Sequence, residues 1–331
     1  MADTAYGDIA PRTAAFAAKE LLERATPYMV IEKFGQARPL GKNQSDTIKF
    51  RKYTSLSVAT TPLTEGVTPT AKQLNSTDVT ARLQQYGDLV TITDKVMDTH
   101  EDPILTETSG ILGEQAAETL ETLRFNIIKG GTNVVYANGS ARTDVNTVVS
   151  LDDIRQAVRT LKGNNAKPIT SVVKSTPSYG TEQIAPAYIA LCHPNTEADI
   201  RALAGFVPTE KYGTLSPYPS EIGKVEGVRF ITSTVFTAWT DVGATGGTSV
   251  VETTSSKADI YPTIVVGRDA FGLVPLKGEN SVTPAVVNPK PSDSDPMAQR
   301  GHVSWKTYNA TVILNDSYMV RIESAISDLT D

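Results

Sequence analysis

Hydrophobic residues recur with helical spacing along one long segment in the first half of the chain. Six apolar residues there follow one another three, four or seven positions apart, the spacing of one helix face. They are Leu105, Leu112, Ala116, Leu120, Leu123 and Ile127. Asp102 followed by Pro103 is typical of a helix start, and Gly130-Gly131 of a helix end. The pattern predicts one helix over residues 102–130, roughly 40 Å long.

The preceding segment, residues 45–92, has a different period. Residues 48–51 and 79–83 alternate between apolar and polar and are rich in β-forming side chains. Between them lies a stretch of Thr, Pro and Gly with few large apolar residues. This pattern predicts a long two-stranded ribbon. Because an isolated hairpin is only marginally stable in water, the ribbon must lie against its own domain or against a neighbouring molecule.

Shorter patterns predict the remaining elements. Helices are expected near residues 13–24 in an N-terminal arm, over residues 151–162, and from a cap at Asn195 through Leu203. Strands are expected at residues 187–193, 228–236 and 258–267, with a closing strand pair from Trp305 to Glu323. The proline-rich segment 284–297 is expected to be a loop.

Composition changes this picture little. The 331 residues are 40% hydrophobic and 21% charged, which suits two modest globular domains or one core domain with long excursions. The net charge of −6 argues against a dedicated nucleic-acid binder, since such a protein needs a basic surplus to contact phosphate. No secretory signal and no membrane-length apolar run is visible, so we expect synthesis in the cytosol and no membrane partner.

A search for catalytic chemistry finds structural explanations instead. Cys192 ends the apolar run 188–192, which is typical of a buried core thiol. The three histidines, at positions 100, 193 and 302, lack neighbours at metal-ligand spacing. The Gly-rich run 243–247 lacks the lysine of a phosphate-binding loop and is interpreted as a loop tip.

Two pairs of adjacent carboxylates, Glu101/Asp102 and Asp152/Asp153, lie where helices are predicted to begin. Acidic side chains favour that position because of the helix dipole, regardless of catalysis. The sequence therefore predicts no enzyme activity, no cofactor and no metal site.

Short motifs along nearly the whole chain, in a consistent order and spacing, resemble those of a known family. The first group reads TEGVTP (64–69), LQQYGD (83–88), ITDKVMD (92–98), LGEQAAET (112–119) and GTNVVYA (131–137). The second group reads DDIR (152–155), HPN (193–195), DIR (199–201), EIG (221–223), VRFI (228–231), VVG (265–267), AFG (270–272), QRG (299–301), WK (305–306), ILN (313–315) and MVRIE (319–323). Together they are similar to the major capsid proteins of tailed bacteriophages, in the family typified by the phage "N-four" shell protein.

This resemblance implies an α+β chain with the Hong-Kong-97-type phage capsid fold. The expected parts are an N-terminal arm (1–44), an extended E-loop (45–92), a peripheral domain (93–184) with a spine helix (102–130), an axial domain (185–275) and a return to the peripheral domain (276–331).

The resemblance also implies a function and partners. The chain would form pentamers and hexamers of an icosahedral head enclosing double-stranded DNA, assembled in the bacterial host cytoplasm and found in the virion. A portal protein, decoration proteins and non-specific contact with packaged DNA would accompany this role. Assembly would use either a separate scaffolding protein or none. Two alternatives stay open at this point, an encapsulin-type compartment shell and a phage tail or receptor-binding protein.

Charge suggests how neighbouring copies would meet. We hypothesise that cations on the ribbon contact carboxylates on a neighbouring spine helix, because the charges are opposite and the two segments are of similar extent. The residues concerned are Lys49, Arg51, Lys52, Glu114, Glu118 and Glu121. The alternative is that the cations only keep an exposed ribbon soluble.

Overall fold

A computed structural model describes residues 29–41, 43, 45–99, 104–173, 181–212, 217–246, 249–254, 256–275, 282–289, 291 and 295–329. The predicted helix near residues 13–24 and the predicted cap at Asp102-Pro103 lie outside these ranges. The α-helices are α1 Asp94–Thr99, α2 Ile104–Ile128, α3 Leu151–Gly163 and α4 Glu197–Arg201. The strands are β1 Gln36–Ala37, β2 Thr47–Tyr53, β3 Ser76–Arg82, β4 Gln84–Thr93, β5 Val134–Tyr136, β6 Ile169–Val173, β7 Thr181–Cys192, β8 Val207–Pro208, β9 Glu221–Val225, β10 Val228–Thr232, β11 Tyr261–Val266, β12 Phe271–Pro275, β13 Val282–Val287, β14 Arg300–Ile313 and β15 Met319–Ser324.

The first sheet is built around the long strand β14. On one side β14 pairs with β4, and on the other with β12 and β13, while β1 continues the sheet beyond β12. The expectation of a loop from residue 284 is therefore wrong at its start, because β13 includes Pro284, opposite Trp305. Among the described residues β13 pairs only with β14, and proline is tolerated in such an edge strand because the outer side needs no N–H donor.

The spine helix α2 packs on this sheet with its N-terminal half. Leu112 and Ala116 are buried against Val303 and Trp305 of β14 and Ile92 of β4. The predicted helix and this part of its apolar stripe are confirmed.

Further along α2, the buried face rotates away from the predicted stripe. Ile127 is 39% exposed, while Phe125 and Ile128 are fully buried. The predicted position of Ile127 is wrong because the C-terminal half of α2 leaves the first sheet and enters a second core, where Phe125 and Ile128 pack with Ile31 of the arm.

The second sheet has eight strands in the order β5-β15-β11-β7-β10-β9-β8, with β6 paired to β7. Helix α3 covers one face, and its predicted amphipathic character is confirmed by the buried residues Ile154, Ala157 and Leu161. Ser150 and Asp153 form a reciprocal capping box at its start. Asp153 is therefore a structural carboxylate.

Three details of the sequence interpretation change in this region. Strands β14 and β15 are not paired with each other, because β14 lies in the first sheet while β15 sits between β5 and β11 in the second. The helix near Asn195 is shorter than predicted and its turn is capped by His193, whose Nδ1 accepts from the Asn195 N–H. The predicted strands at 187–193, 228–236 and 258–267 are present as β7, β10 and β11, but β10 ends at Thr232 and β11 runs only from Tyr261 to Val266.

Candidate inter-subunit surface

The ribbon predicted over residues 45–92 is present as the antiparallel pair β2 and β3. Its base is held to the body, because Phe50 and Ala81 are buried against Leu40 and Val274. The last part of the predicted range differs, since β4 leaves the ribbon and pairs with β14 along ten residues. The free part of the ribbon therefore ends near Arg82.

Strand alternation separates the three ribbon cations. Lys49 and Arg51 share the face opposite to that of Phe50, whereas Lys52 lies on the same face as Phe50. The Lys52 ammonium stands 5.6 Å from the centre of the Tyr318 ring, near the body of its own subunit. The ribbon thus brings Lys49 and Arg51 together on one outward face and places Lys52 on the other.

Arg51 already has a partner within the chain. The strand register places it opposite Asp78, and its Nε and Nη2 each donate to that carboxylate over 2.8 Å. These hydrogen bonds from Arg51 lower the pKa of the Asp78 carboxyl. The sequence interpretation missed Asp78, although a period-two register between the two strands could have paired them. Lys49 is exposed and makes no hydrogen bond or salt bridge in the described part of the chain, although its charge also helps to lower the pKa of the Asp78 carboxyl.

Beyond the paired strands, residues 54–75 continue as an extended excursion. Lys72 joins its two arms by donating to the Ser57 carbonyl and hydroxyl, and Gly66, with φ of 75°, allows the turn at its tip. Its few large apolar side chains all face solvent. They are Leu56 at 55% exposure, Val58 at 84%, Leu63 at 78%, Val67 at 64% and Leu74 at 59%. The described part of their own subunit leaves all five uncovered, so the excursion is a candidate interaction surface.

The spine carboxylates proposed as acceptors have different environments. Glu118 is exposed and Glu114 is half-buried. Between them, Gln115 links the helix to the first sheet: its amide donates to Asp88 over 2.6 Å and accepts from the Trp305 indole over 3.1 Å. Glu118 thus remains the most accessible of the three carboxylates to a neighbouring subunit.

Glu121 is fully buried, which corrects its assignment to the exposed acidic face. Its Oε1 accepts the backbone N–H groups of Val30 and Ile31 over 2.9 and 2.7 Å, and Arg124 lies 3.6 Å from Oε2. Burial raises the pKa of the Glu121 carboxyl. The side chain therefore fastens the arm of its own subunit to the spine helix and is not available to a neighbour.

The residues considered for chemistry have structural surroundings. Cys192 is fully buried, and burial raises the pKa of its thiol to about 12. The described part of Gly243–Gly247 is fixed by hydrogen bonds of Gly243 and Ala244 to the backbone at Ala258 and Val145. Within the described ranges, no group of His, Cys, Asp and Glu could hold a metal ion, and no helix is long and apolar enough to cross a membrane.

Comparison with solved structures shows the fold. The capsid of Ralstonia phage GP4 superposes with a TM-score of 0.65 at 12% identity, covering 90% of this chain and 88% of that one. The capsid of cyanophage Pam1 gives 0.63 at 13% identity, covering 91% and 92%. The capsid of cyanophage P-SCSP1u gives 0.58 at 14% identity, covering 90% and 89%. The chain therefore has the Hong-Kong-97-type fold of phage capsids.

Sequence comparison then gives the family. Residues 76–322 match the phage capsid protein family, so the chain belongs to that family. No curated protein sequence matches significantly. The chain is a capsid protein of the phage head shell, which implies self-association and a place in the virion.

Proposed function

We propose that the chain is the repeating subunit of both hexamers and pentamers in an icosahedral head around double-stranded DNA, and that it is assembled in the host cytoplasm. The main support for self-assembly is the excursion at the end of the ribbon, which exposes five large apolar side chains between residues 54 and 75. These side chains have no covering surface within the described part of their own subunit. A neighbouring copy supplies that surface by a heterologous contact, which can close into rings of different size.

Charge on the ribbon supports the same arrangement. The outward face of β2, with Lys49 and Arg51, contacts the exposed side of a neighbouring spine helix. Glu118 and Glu114 of that helix are the acceptors. An exposed pair of this type contributes about 0–1 kcal/mol, so the pairs define register and the apolar residues provide most of the free energy.

The two sheets support a division of the body. The five-stranded sheet with α2 forms the peripheral domain, and the eight-stranded sheet with α3 forms the axial domain. This assignment differs from the bounds expected from the sequence. It moves β5 and α3, within residues 93–184, and β15, within residues 276–331, from the peripheral to the axial domain. In this proposal a portal and decoration proteins complete the head, assembly uses a scaffolding protein or none, and contact with DNA is non-specific. The family match favours this role over an encapsulin-type compartment or a tail protein.

The test compares assembly of the wild type with that of Val58→Asp. Sedimentation velocity and negative-stain microscopy measure the fraction of protein in rings and closed shells. We expect Val58→Asp to shift the protein to free subunits without changing its circular dichroism. Met297→Asp is the matched control, because Met297 is 75% exposed but lies outside the ribbon. Equal assembly of both variants would contradict the proposal.

A further inference from the structure

A group of cationic side chains surrounds one indole where the spine helix meets the second sheet. The Lys129 ammonium lies 3.9 Å from the centre of the Trp239 ring, the Arg142 guanidinium 3.6 Å and the Arg321 guanidinium 5.5 Å. Together with Glu323, these residues are called the Trp239 cluster below. A cation–π contact needs only one cation, so this contact does not account for the positive charge of the other two.

The one carboxylate of the Trp239 cluster is fully engaged. Glu323 is completely buried, and both of its oxygens are taken by arginines: Arg142 donates to them over 2.7 and 2.8 Å, and Arg321 over 2.7 Å. Arg321 has a second structural role, because it also donates to the carbonyls of Lys129 and Gly131 just beyond the C-terminal end of α2. A cation at that position complements the helix dipole. The helix dipole also favours Lys129, which directly follows the last residue of α2, so the end of the helix explains Arg321 and Lys129 in part but not Arg142.

Lys129 lacks a carboxylate of its own in the described ranges. Its ammonium donates to the carbonyl of Thr237 over 3.0 Å. Burial, followed by repulsion from Arg142 and Arg321, lowers the pKa of the Lys129 ammonium to about 8. The cluster holds three cations against one carboxylate, so its positive charge is in excess.

Part of the excess charge is accessible to solvent. The Arg142 side chain is 30% exposed, and its two bonds to Glu323 use Nε and Nη2, so that neither involves Nη1. Lys129 and Trp239 are half-buried. A partly buried site attracts anions more strongly than a surface lysine does, because its charges are less screened.

We propose that the Trp239 cluster binds a phosphate group, with Lys129 and Arg142 as its donors. A phosphate suits the site better than a carboxylate does, because it carries up to two negative charges and offers three or more acceptor oxygens to separate donors. The rigid anchoring of Arg142 by buried Glu323 presents its free edge in a fixed orientation. This binding function goes beyond shell assembly and does not depend on it.

The test measures acylation of Lys129 in the purified full chain at pH 7.5 by mass spectrometry, with exposed Lys257 as the internal reference. Inorganic phosphate, on the order of 10 mM at constant ionic strength, should slow acylation of Lys129 about threefold or more, because a bound anion holds the amine in its charged form. Acylation of Lys257 should not change. A short DNA duplex forms a second arm, and sodium acetate a third.

The outcomes separate the sources of the phosphate. Protection by phosphate and by duplex identifies the nucleic-acid backbone as a ligand, whereas protection by phosphate alone identifies a free phosphate or nucleotide. If acetate protected Lys129 and phosphate did not, the site would be one for a carboxylate of another protein, and the proposal would be overturned. The proposal would also be overturned if none of the three additions protected Lys129.

Arg142→Gln should abolish the protection of Lys129. Arg155→Gln, at an exposed arginine paired with Glu226, should leave that protection intact. If Arg142→Gln does not fold, the protection of Lys129 measured in the wild-type chain still tests the proposal.

Discussion

At the residue scale, Glu121 shows how a surface pattern can conceal a structural role. Its spacing from Glu114 and Glu118 is that of one helix face, so the three carboxylates look equivalent in the sequence. In the structure, two backbone N–H groups of the arm reach Glu121 alone. These donors satisfy Oε1, while Oε2 accepts no hydrogen bond from the described residues and has the Arg124 guanidinium at 3.6 Å. The position of all these groups follows from tertiary contacts that the local pattern does not contain.

Glu121 predicts a specific dependence of stability on pH. Because burial raises its pKa in the folded state, the folded chain binds the proton more tightly than the unfolded chain. The stability contributed by this group is therefore greatest at low pH and falls as pH rises above the unfolded value, about 4.5. In urea titrations, the free energy of unfolding of the wild type minus that of Glu121→Gln should decrease across this window. An equal pH dependence of both proteins would contradict the assignment.

Cys192 predicts a chemical result. Since the thiolate is the reactive form and burial raises the pKa of this thiol to about 12, the native chain should not react with a thiol reagent at pH 8. The same reagent should modify one thiol per chain in denaturant, because Cys192 is the single cysteine. Rapid reaction of the native chain would show that β7 is not part of a closed core.

At the element scale, the ribbon has two faces with different expected roles. Lys49→Glu should reduce shell yield and weaken its salt dependence, because Lys49 lies on the outward face and is exposed. Lys52→Glu is the matched control, with the same charge change on the face toward Tyr318. Arg51→Glu is less informative, because it also places two carboxylates opposite each other at Asp78. Equal shell yields for the Lys49 and Lys52 variants, measured by sedimentation, would favour the alternative that the cations only aid solubility.

The pairing of β4 with β14 depends on a close approach at Gly87. A Cβ at this position would lie 2.5 Å from the Trp305 carbonyl oxygen, so Gly87→Ala must push the two strands apart. We expect a loss of about 1–3 kcal/mol in the free energy of unfolding, typical of overpacking. Gly163→Ala is the control, since its Cβ would meet no atom within 4 Å at the end of α3. Chemical denaturation of both variants measures the difference.

At the scale of the whole molecule, the sequence predicts elements better than it predicts their partners. The spine helix, α3 and the ribbon follow from local periodicity, because each has one face that differs in polarity from the other. Strand neighbours depend on contacts between distant segments, so the separation of β14 and β15 into two sheets was missed. The position of Pro284 in a strand was missed for a related reason. Only the pairing of β13 with β14 shows that Pro284 lies in a strand with a neighbour on one side, where a missing N–H is tolerated. At the candidate inter-subunit surface, the cations were predicted, but their faces and the partner of Arg51 were not.

The placement of β14 and β15 has a consequence for the timing of biosynthesis. β14 is the centre of the first sheet, and β15 separates β5 from β11 in the second, so both sheets need residues beyond position 300. Neither sheet can close before residues 300–324 have been synthesised. The base of the ribbon packs on residues of β12 and β14 and is therefore completed late as well. It follows that a chain still being synthesised has no anchored ribbon base until those residues have joined the first sheet, so under the proposed function it cannot present the ribbon to a neighbour before then.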